Sequence, residues 1–378
     1  MCALVASFSA RSATRREVAR EPGVQMTHDH ARDAGAGARP VELGATTNEQ
    51  QRELTALSGQ ATAAAGDVRA ALDLARDVGG RLPHPGTGST GFLWSALASV
   101  AAADLTVARV LEPHLDAHAI LGQAGEEAGD GTWGVFAAEG PGEPLRATPS
   151  GSSYVLDGRK HWCSLGGELD HALISAWVGQ ERQLFAVDLD HPDVTAVAGT
   201  WVARGLTAVD SGPLDLDGVD ARAVGAPGWY LERPGFAWGA IGVAAVWFGG
   251  AVGVARRMVA ASGTREPDQV ALMHLGAVDA RLHGARAVLE QAAAALDAGN
   301  LAGPVGWRAA LRGREVVAVA SEDVLRRSAH ALGPGPLATD EAHARRVADL
   351  ELYLRQWHAE RDQASLGRQL LDDPGSDW

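Results

Sequence analysis

Cysteine is nearly missing from this 378-residue chain: Cys2 and Cys163 are the two it has. One stands at the N-terminus and one deep in the chain, which excludes a disulfide framework and fits a reducing compartment, so a cytoplasmic protein is expected. Basic side chains are in deficit, 33 against 47 acidic ones, for a formal net charge of −14. No Lys/Arg block offsets this, so nucleic acid and anionic membrane are not expected as partners. An apolar run long enough to span a bilayer is not evident, and no membrane partner is expected. The opening MCALVASFSA has no basic stretch before it, and Arg15-Arg16 has no apolar run after it, so neither kind of export signal is read here. Residues 1–45 lack periodicity and read as a disordered tail, with Met26 as a second candidate start. His28 and His30 form an unanchored H-D-H pair, and no metal site is expected.

Residues 83–92, PHPGTGSTGF, place Gly86, Gly88 and Gly91 in a G-x-G-x-x-G spacing. That fingerprint cradles a pyrophosphate only where a buried strand feeds the first glycine and a helix opens at the last. Upstream, Val68, Ala71, Leu72 and Ala75 recur at helical spacing, and Pro83 and Pro85 follow, so no parallel strand leads in. The glycines read as a loop between two helices that edges a ligand cavity.

A chain of this length suggests about two or three domains. From Thr47 to Gly129 it is Ala/Leu-rich with a helical stripe through Leu93, Leu97, Val100, Val107 and Leu111, broken at Asp104. At Gly131 the texture becomes short alternating runs parted by turn residues, which predicts a compact all-β unit ending near Pro227. From Gly235 four long helical patterns return, the last running DEAHARRVADLELYLRQWHAERDQASLGRQLL. The expected fold is therefore α+β and multi-domain: a tail (1–45), an N-terminal helical domain (46–130), a middle small β-barrel or sandwich (131–228) and a C-terminal four-helix bundle (229–378).

Particular residues sharpen that order. LDGRKHWCSLGGELDHALISA (156–176) is similar to G-x-K-x-W-I-[TS]-N-G followed by an apolar strand, and WVARGLTAVDSGPLDLDGV (201–219) to W-x-x-x-G-[ML]-x-x-[TS]-x-S. With PGFAWGAIGVAAVWFGGAVGVA and ARRVADLELYLRQ after them, the chain from about residue 50 to 375 resembles the acyl-CoA dehydrogenase superfamily of FAD flavoproteins. The resemblance implies FAD, a small-molecule substrate and a homodimer or homotetramer. It places Trp162 and Ser164 on the flavin-contacting Trp and Thr/Ser, and Trp133 and Val135 in a stretch that touches flavin and substrate. Arg265, Gly333 and Gly335 fall where relatives reach a neighbouring subunit's FAD. An indole wall with a hydroxyl donor beside it suits a flat ring with polar edges.

Departures from the pattern bear on the reaction. The proton-abstracting glutamate expected eight residues after Asp349 is Trp357, and the alternative base on the helix opening the C-terminal domain is missing from WGAIG. His358, with an ordinary pKa near neutrality, and Glu360 are the candidate catalytic replacements. No phenylalanine accompanies Arg265, and Phe136 stands in place of a hydroxyl donor, which weakens nucleotide and CoA recognition. The expected activity is FAD-dependent oxidation of the CH–CH group of an acyl thioester or similar compound. A flavin monooxygenase acting on an apolar or aromatic compound, and a silent flavin-binding or assembly protein, are the alternatives. Cys163 is expected to serve packing.

Overall fold

A computed structural model describes residues 39–263 and 266–372. Met26, the H-D-H pair, most of the tail and Arg265 lie outside the described residues. Four helices come first: α1 (Asn48–Ala63), α2 (Val68–Val78), α3 (Thr90–Ala103) and α4 (Leu105–Gln123). Their starts follow capping chemistry. Thr47 and Gln50 form a reciprocal capping box, and the Asp67 and Asp104 carboxylates accept from backbone amides of the first turns. Asp104 thereby divides what reads as one stripe into α3 and α4.

Residues 40–43, read from sequence as tail, are in fact packed on α3. The Val41 and Leu43 amides donate to Ser99 and Ser95, each at 2.8 Å, and both side chains are buried. Two serines on an otherwise apolar helix give the entering strand of chain its hydrogen bonds, a signal that composition does not carry.

The middle unit has strands β1 (Trp133–Phe136), β2 (Arg146–Ser150), β3 (Ser153–Lys160), β4 (His171–Val178), β5 (Glu181–Asp188), β6 (Val194–Ala196) and β7 (Leu214–Val224). Pairing runs β4-β2-β3-β7-β5 and β5 returns to β4, so the sheet closes on itself. β1 runs parallel to β4 and β6 pairs with β7. Closure leaves few free edges and needs inward side chains only, which the short alternating runs supply.

The C-terminal unit holds a single turn α5 (Trp229–Glu232), then α6 (Pro234–Ser262), α7 (Gln269–Asp297), α8 (Gly303–Leu332), the short α9 (Gly335–Thr339), α10 (Glu341–Tyr353) and α11 (Glu360–Asp372). Two expectations are corrected here. α6 is long and apolar enough to cross a membrane, contrary to the sequence reading, yet 72% of its apolar window is buried against its neighbours. The last expected helix is broken. After a 3₁₀ turn at Leu354–Gln356 the chain is extended at Trp357 and left-handed at Ala359 before α11 begins. Trp357 is drawn into the core, and Arg314 of α8 takes the Gln356 carbonyl at 2.6 Å, so that carbonyl is taken by a side chain instead of a helical amide.

α6 crosses α3 at very short range. A Cβ on Gly249 would overlap the backbone carbonyl of Ala98, and Ala98, Ala101 and Ala102 form the facing surface. Small residues thus set the distance between the first domain and the bundle. The loop of Gly86 and Gly88 is tied to the end of α7 by Asp297, which accepts from Gly88 N (3.0 Å), Thr90 N (2.9 Å) and the Thr90 hydroxyl (2.5 Å). No strand precedes it, as expected, and its anion partner is a carboxylate of the chain itself.

Candidate active site

On α4, residues 109, 112 and 116 fall on one face by helical spacing, and this face carries Arg109, Glu112 and Asp116 into the junction of the three domains. Glu112 accepts a hydrogen bond from the Tyr353 hydroxyl of α10 at 3.0 Å, and Arg109 Nη1 lies 3.6 Å from the same Oε2. Arg109 continues the chain of contacts. Its Nη2 donates to Ser164 Oγ at 3.0 Å, and Ser164 and Ser211 share a hydrogen bond of 2.8 Å. A polar path therefore runs from the β unit, through α4, to α10 in the bundle.

Burial pushes the Glu112 carboxyl up to about 7; the Arg109 charge opposes this and the nearby Asp116 adds to it. Asp116 is raised by burial as well, with Arg233 of the α5–α6 junction pulling the other way. Arg314 stacks over Trp247 at 4.6 Å and holds the Ala240 and Gln356 carbonyls. An acid with a pKa near neutrality and low solvent contact can both take and give a proton at working pH.

Beside the two carboxyls opens a narrow cleft of about 30 Å³ between α3, α4 and α6. Leu93, Trp94, Leu97, Leu115 and Trp238 line it. Trp238 is fixed by its indole N–H to the Leu301 carbonyl at 2.7 Å, and Gly86 approaches its ring. The glycine loop does edge a cavity, through Trp238. Its walls are apolar apart from Glu112 and Asp116, and at that volume it has room for about one or two waters.

The residues expected from sequence divide. Ser164 belongs to the polar path, and Trp162 stands two residues before it in the same turn. Trp162 is held at φ +62° with 55% of its surface exposed, which presents a bare indole face. Its turn is anchored by Cys163 N to the Gly212 carbonyl and Leu165 N to the Asp210 carbonyl. A bulky residue kept in the left-handed region, with its ring uncovered, points to a task beyond packing.

Trp133 and Val135 are placed elsewhere. Both face the small second core between α4 and the sheet, where Trp133 is buried with Ile120, Leu173 and Val224, and its amide donates to His114 Nδ1 at 3.1 Å. Strand alternation turns Phe136 to the main core. His358 and Glu360 are exposed at the break before α11. His358 sits 3.5 Å from Asp362, and its neighbour Trp357 takes the inward position. Gly333 and Gly335 end α8 and begin α9. They lie at a corner where Ser262, Glu266, Asp268, His330 and Leu332 surround a cavity of about 380 Å³. Cys163 is buried and its thiol pushed up to about 12, chiefly by burial, in keeping with a packing role.

Arg109, Glu112, Ser211, Arg314 and Tyr353 escape a sequence reading. One signal was present: three charged residues on one face of an otherwise apolar helix, VARVLEPHLDAHAIL, where a buried helix has no use for them unless paired.

The raised carboxyl has a thermodynamic consequence. Glu112 keeps its proton in the folded protein to a higher pH than in the unfolded chain, so between about 4.5 and about 7 the folded state binds more protons. Stability then falls as pH rises through that window, by on the order of 3 kcal/mol from this group. Asp349, raised to about 6 by burial, adds a decline in the same range. Thermal melts of Glu112→Gln are expected to lose a large part of the pH slope between pH 5 and 8; an unchanged slope would contradict the burial of an ionisable carboxyl here.

No protein-family model matches the chain, and no curated protein sequence does. Solved structures are similar in fold. KijD3, in complex with FMN and a dTDP-amino-keto sugar, has a TM-score of 0.74 at 20% identity over 89% of this chain and 97% of that one. Butyryl-CoA dehydrogenase from Megasphaera elsdenii has 0.75 at 18%, over 87% and 99%. FMN-bound TdsC from Paenibacillus sp. A11-2 has 0.71 at 17%, over 90% and 97%. The chain has the acyl-CoA dehydrogenase-type fold: helical first domain, small β domain and helical bundle, in that order.

Proposed function

We propose that this chain is a flavin-dependent oxidoreductase acting on a small, mainly apolar organic molecule, with Glu112 as the proton-transferring group. The observation that carries the reading is the path Ser164–Arg109–Glu112–Tyr353, which begins two residues from the exposed Trp162 and ends at a carboxyl beside an apolar cleft. The residues present fit a flavin. The uncovered Trp162 face accepts a flat ring, and Ser164, Ser211 and Arg109 offer donors for its polar edge. A flavin held there supplies two-electron redox chemistry. Glu112 takes a proton from the substrate as carboxylate, or returns one as acid; Tyr353 orients the accepting oxygen; Leu93, Trp94 and Trp238 exclude water.

The cofactor is proposed to be flavin mononucleotide more readily than FAD. At the corner where the resemblance puts the far end of a partner's FAD, the described lining brings Glu266 and Asp268, which repel a diphosphate. KijD3 and TdsC are both described with FMN. Within this reading, dehydrogenation of an acyl thioester and oxygenation of an apolar compound remain two reactions of one site. Trp357 in place of a carboxylate and the aromatic cleft favour the second.

Titration of purified protein with FMN and with FAD, followed by flavin fluorescence, tests the reading. Trp162→Ala is expected to weaken flavin binding about tenfold, through lost ring contact, without lowering the melting temperature, because the side chain is exposed. Absence of binding for both flavins in the native oligomer would remove the proposal. Anaerobic mixing with acyl-CoA compounds separates the reactions: bleaching means dehydrogenation, and turnover only with a reductant and oxygen means oxygenation.

Self-association belongs to the same proposal. α7 exposes Val270, Leu272 and Met273, and α8 exposes Val316 and Val319. Light scattering is expected to give a homodimer or homotetramer, and Leu272→Glu with Val319→Glu a smaller species.

A further inference from the structure

A second concentration of charge lies apart from Glu112, where the ends of α1 and α3 meet the latter half of α6 and the start of α10. A cavity of about 220 Å³ there is lined by Arg256, Arg257, His343, Arg345 and Arg346 against the single carboxylate of Asp340. In a chain of formal net charge −14, four guanidinium groups around one cavity run against the overall balance.

The structure holds each of them in place. Arg257 Nε donates to Asp340 Oδ2 at 2.8 Å, and Arg345 donates to Glu341 at 2.8 Å and Asp104 at 3.1 Å. Arg346 and Arg256 donate to the carbonyls of Ala103 at 3.0 Å and Pro40 at 3.1 Å. Gly253 makes room, since a Cβ there would lie 2.9 Å from the Arg346 side chain. The crowding has an electrostatic cost. Burial, and after it the charges of Arg39, Arg346 and Arg286, lower Arg256 to about 10. Two groups point to a missing partner. Arg257 engages Asp340 through Nε and uses neither terminal amino group on any described residue, and His343 is buried with its Nδ1 unpartnered. A buried ring nitrogen without a partner, beside crowded guanidiniums, is the arrangement that an anion relieves.

We propose that this cavity binds the phosphate group of a small phosphorylated metabolite. Planar guanidinium forks match the oxygens of a tetrahedral phosphate, His343 adds a ring nitrogen, and the volume of about 220 Å³ admits a phosphate with a short organic portion. The site is independent of the flavin reading.

Calorimetric titration of the native protein with inorganic phosphate and with pyrophosphate, at constant ionic strength set by chloride, tests it. A saturable heat with either probe is expected, and their ranking separates a monophosphate from a diphosphate ligand. Arg257→Gln is expected to weaken binding at least about tenfold. Ala260→Phe, which fills the cavity and leaves every charged residue in the sequence, is expected to abolish it. If Arg257→Gln does not fold, Ala260→Phe decides. Absence of saturable heat, equal binding by the variants, or competition between phosphate and FMN, which would assign the heat to the flavin ledge, each overturns the proposal.

Discussion

Glu112→Gln is expected to lower turnover by about 10²–10⁴-fold while flavin affinity stays within about twofold of wild type. Glutamine keeps the shape and still accepts from the Tyr353 hydroxyl, so the change removes proton exchange and little else. Tyr353→Phe separates roles. It leaves the carboxyl beside the cleft but removes its donor, so the acid limb of the pH–rate profile is expected to move to higher pH, because the Tyr353 hydrogen bond lowers the Glu112 pKa. His358→Ala, by contrast, is expected to change the rate by less than about twofold, since the imidazole is exposed and away from the cleft. A large loss on His358→Ala with a normal rate on Glu112→Gln would reverse the assignment made here.

The second large effect is structural. Gly249→Ala places a methyl group where the Ala98 carbonyl stands, on a crossing formed by backbone. Neither helix can yield locally, because α3 is buried along nearly its whole length and α6 packs against α8 on its other side. A loss of about 3 kcal/mol or more is expected, at the upper end of overpacking effects. Chemical denaturation of Gly249→Ala beside Gly276→Ala on α7 checks it. Gly276 has open space around its Cβ position, and alanine there is expected to be neutral or stabilising through helix propensity. Equal stability of the two variants would mean that the domains do not meet as closely as described.

Sequence carried the order of the domains well, because that order rests on periodicity, which is local: 3.6 in the outer thirds, near 2 between Trp133 and Val224. That Trp162 and Ser164 share one turn was legible for the same reason, since the motif that carries them is local. Glu112 was not. Its partner Tyr353 is 241 residues away, and an acid on a helix looks identical whether it faces water or a crevice. The break after Tyr353 was hidden too, since RQWHAERD contains neither glycine nor proline; a tertiary event, Arg314 capturing the Gln356 carbonyl, ends the helix there. The surroundings of Trp133 were not legible either. Its place in the motif suggested a ligand wall, while strand alternation turns it to the α4 side, among Ile120, Leu173 and Val224.

The proposed role of Glu112 on α4 bears on how the rest of the chain can change over generations. Glu112 is set by a helix clamped between two hydrophobic cores, so the segment beyond Trp357 no longer has to present a reactive group at fixed geometry. α11 buries none of its residues. On that proposal α11 (Glu360–Asp372) carries no reacting group, and chains sharing this arrangement should tolerate substitution along it.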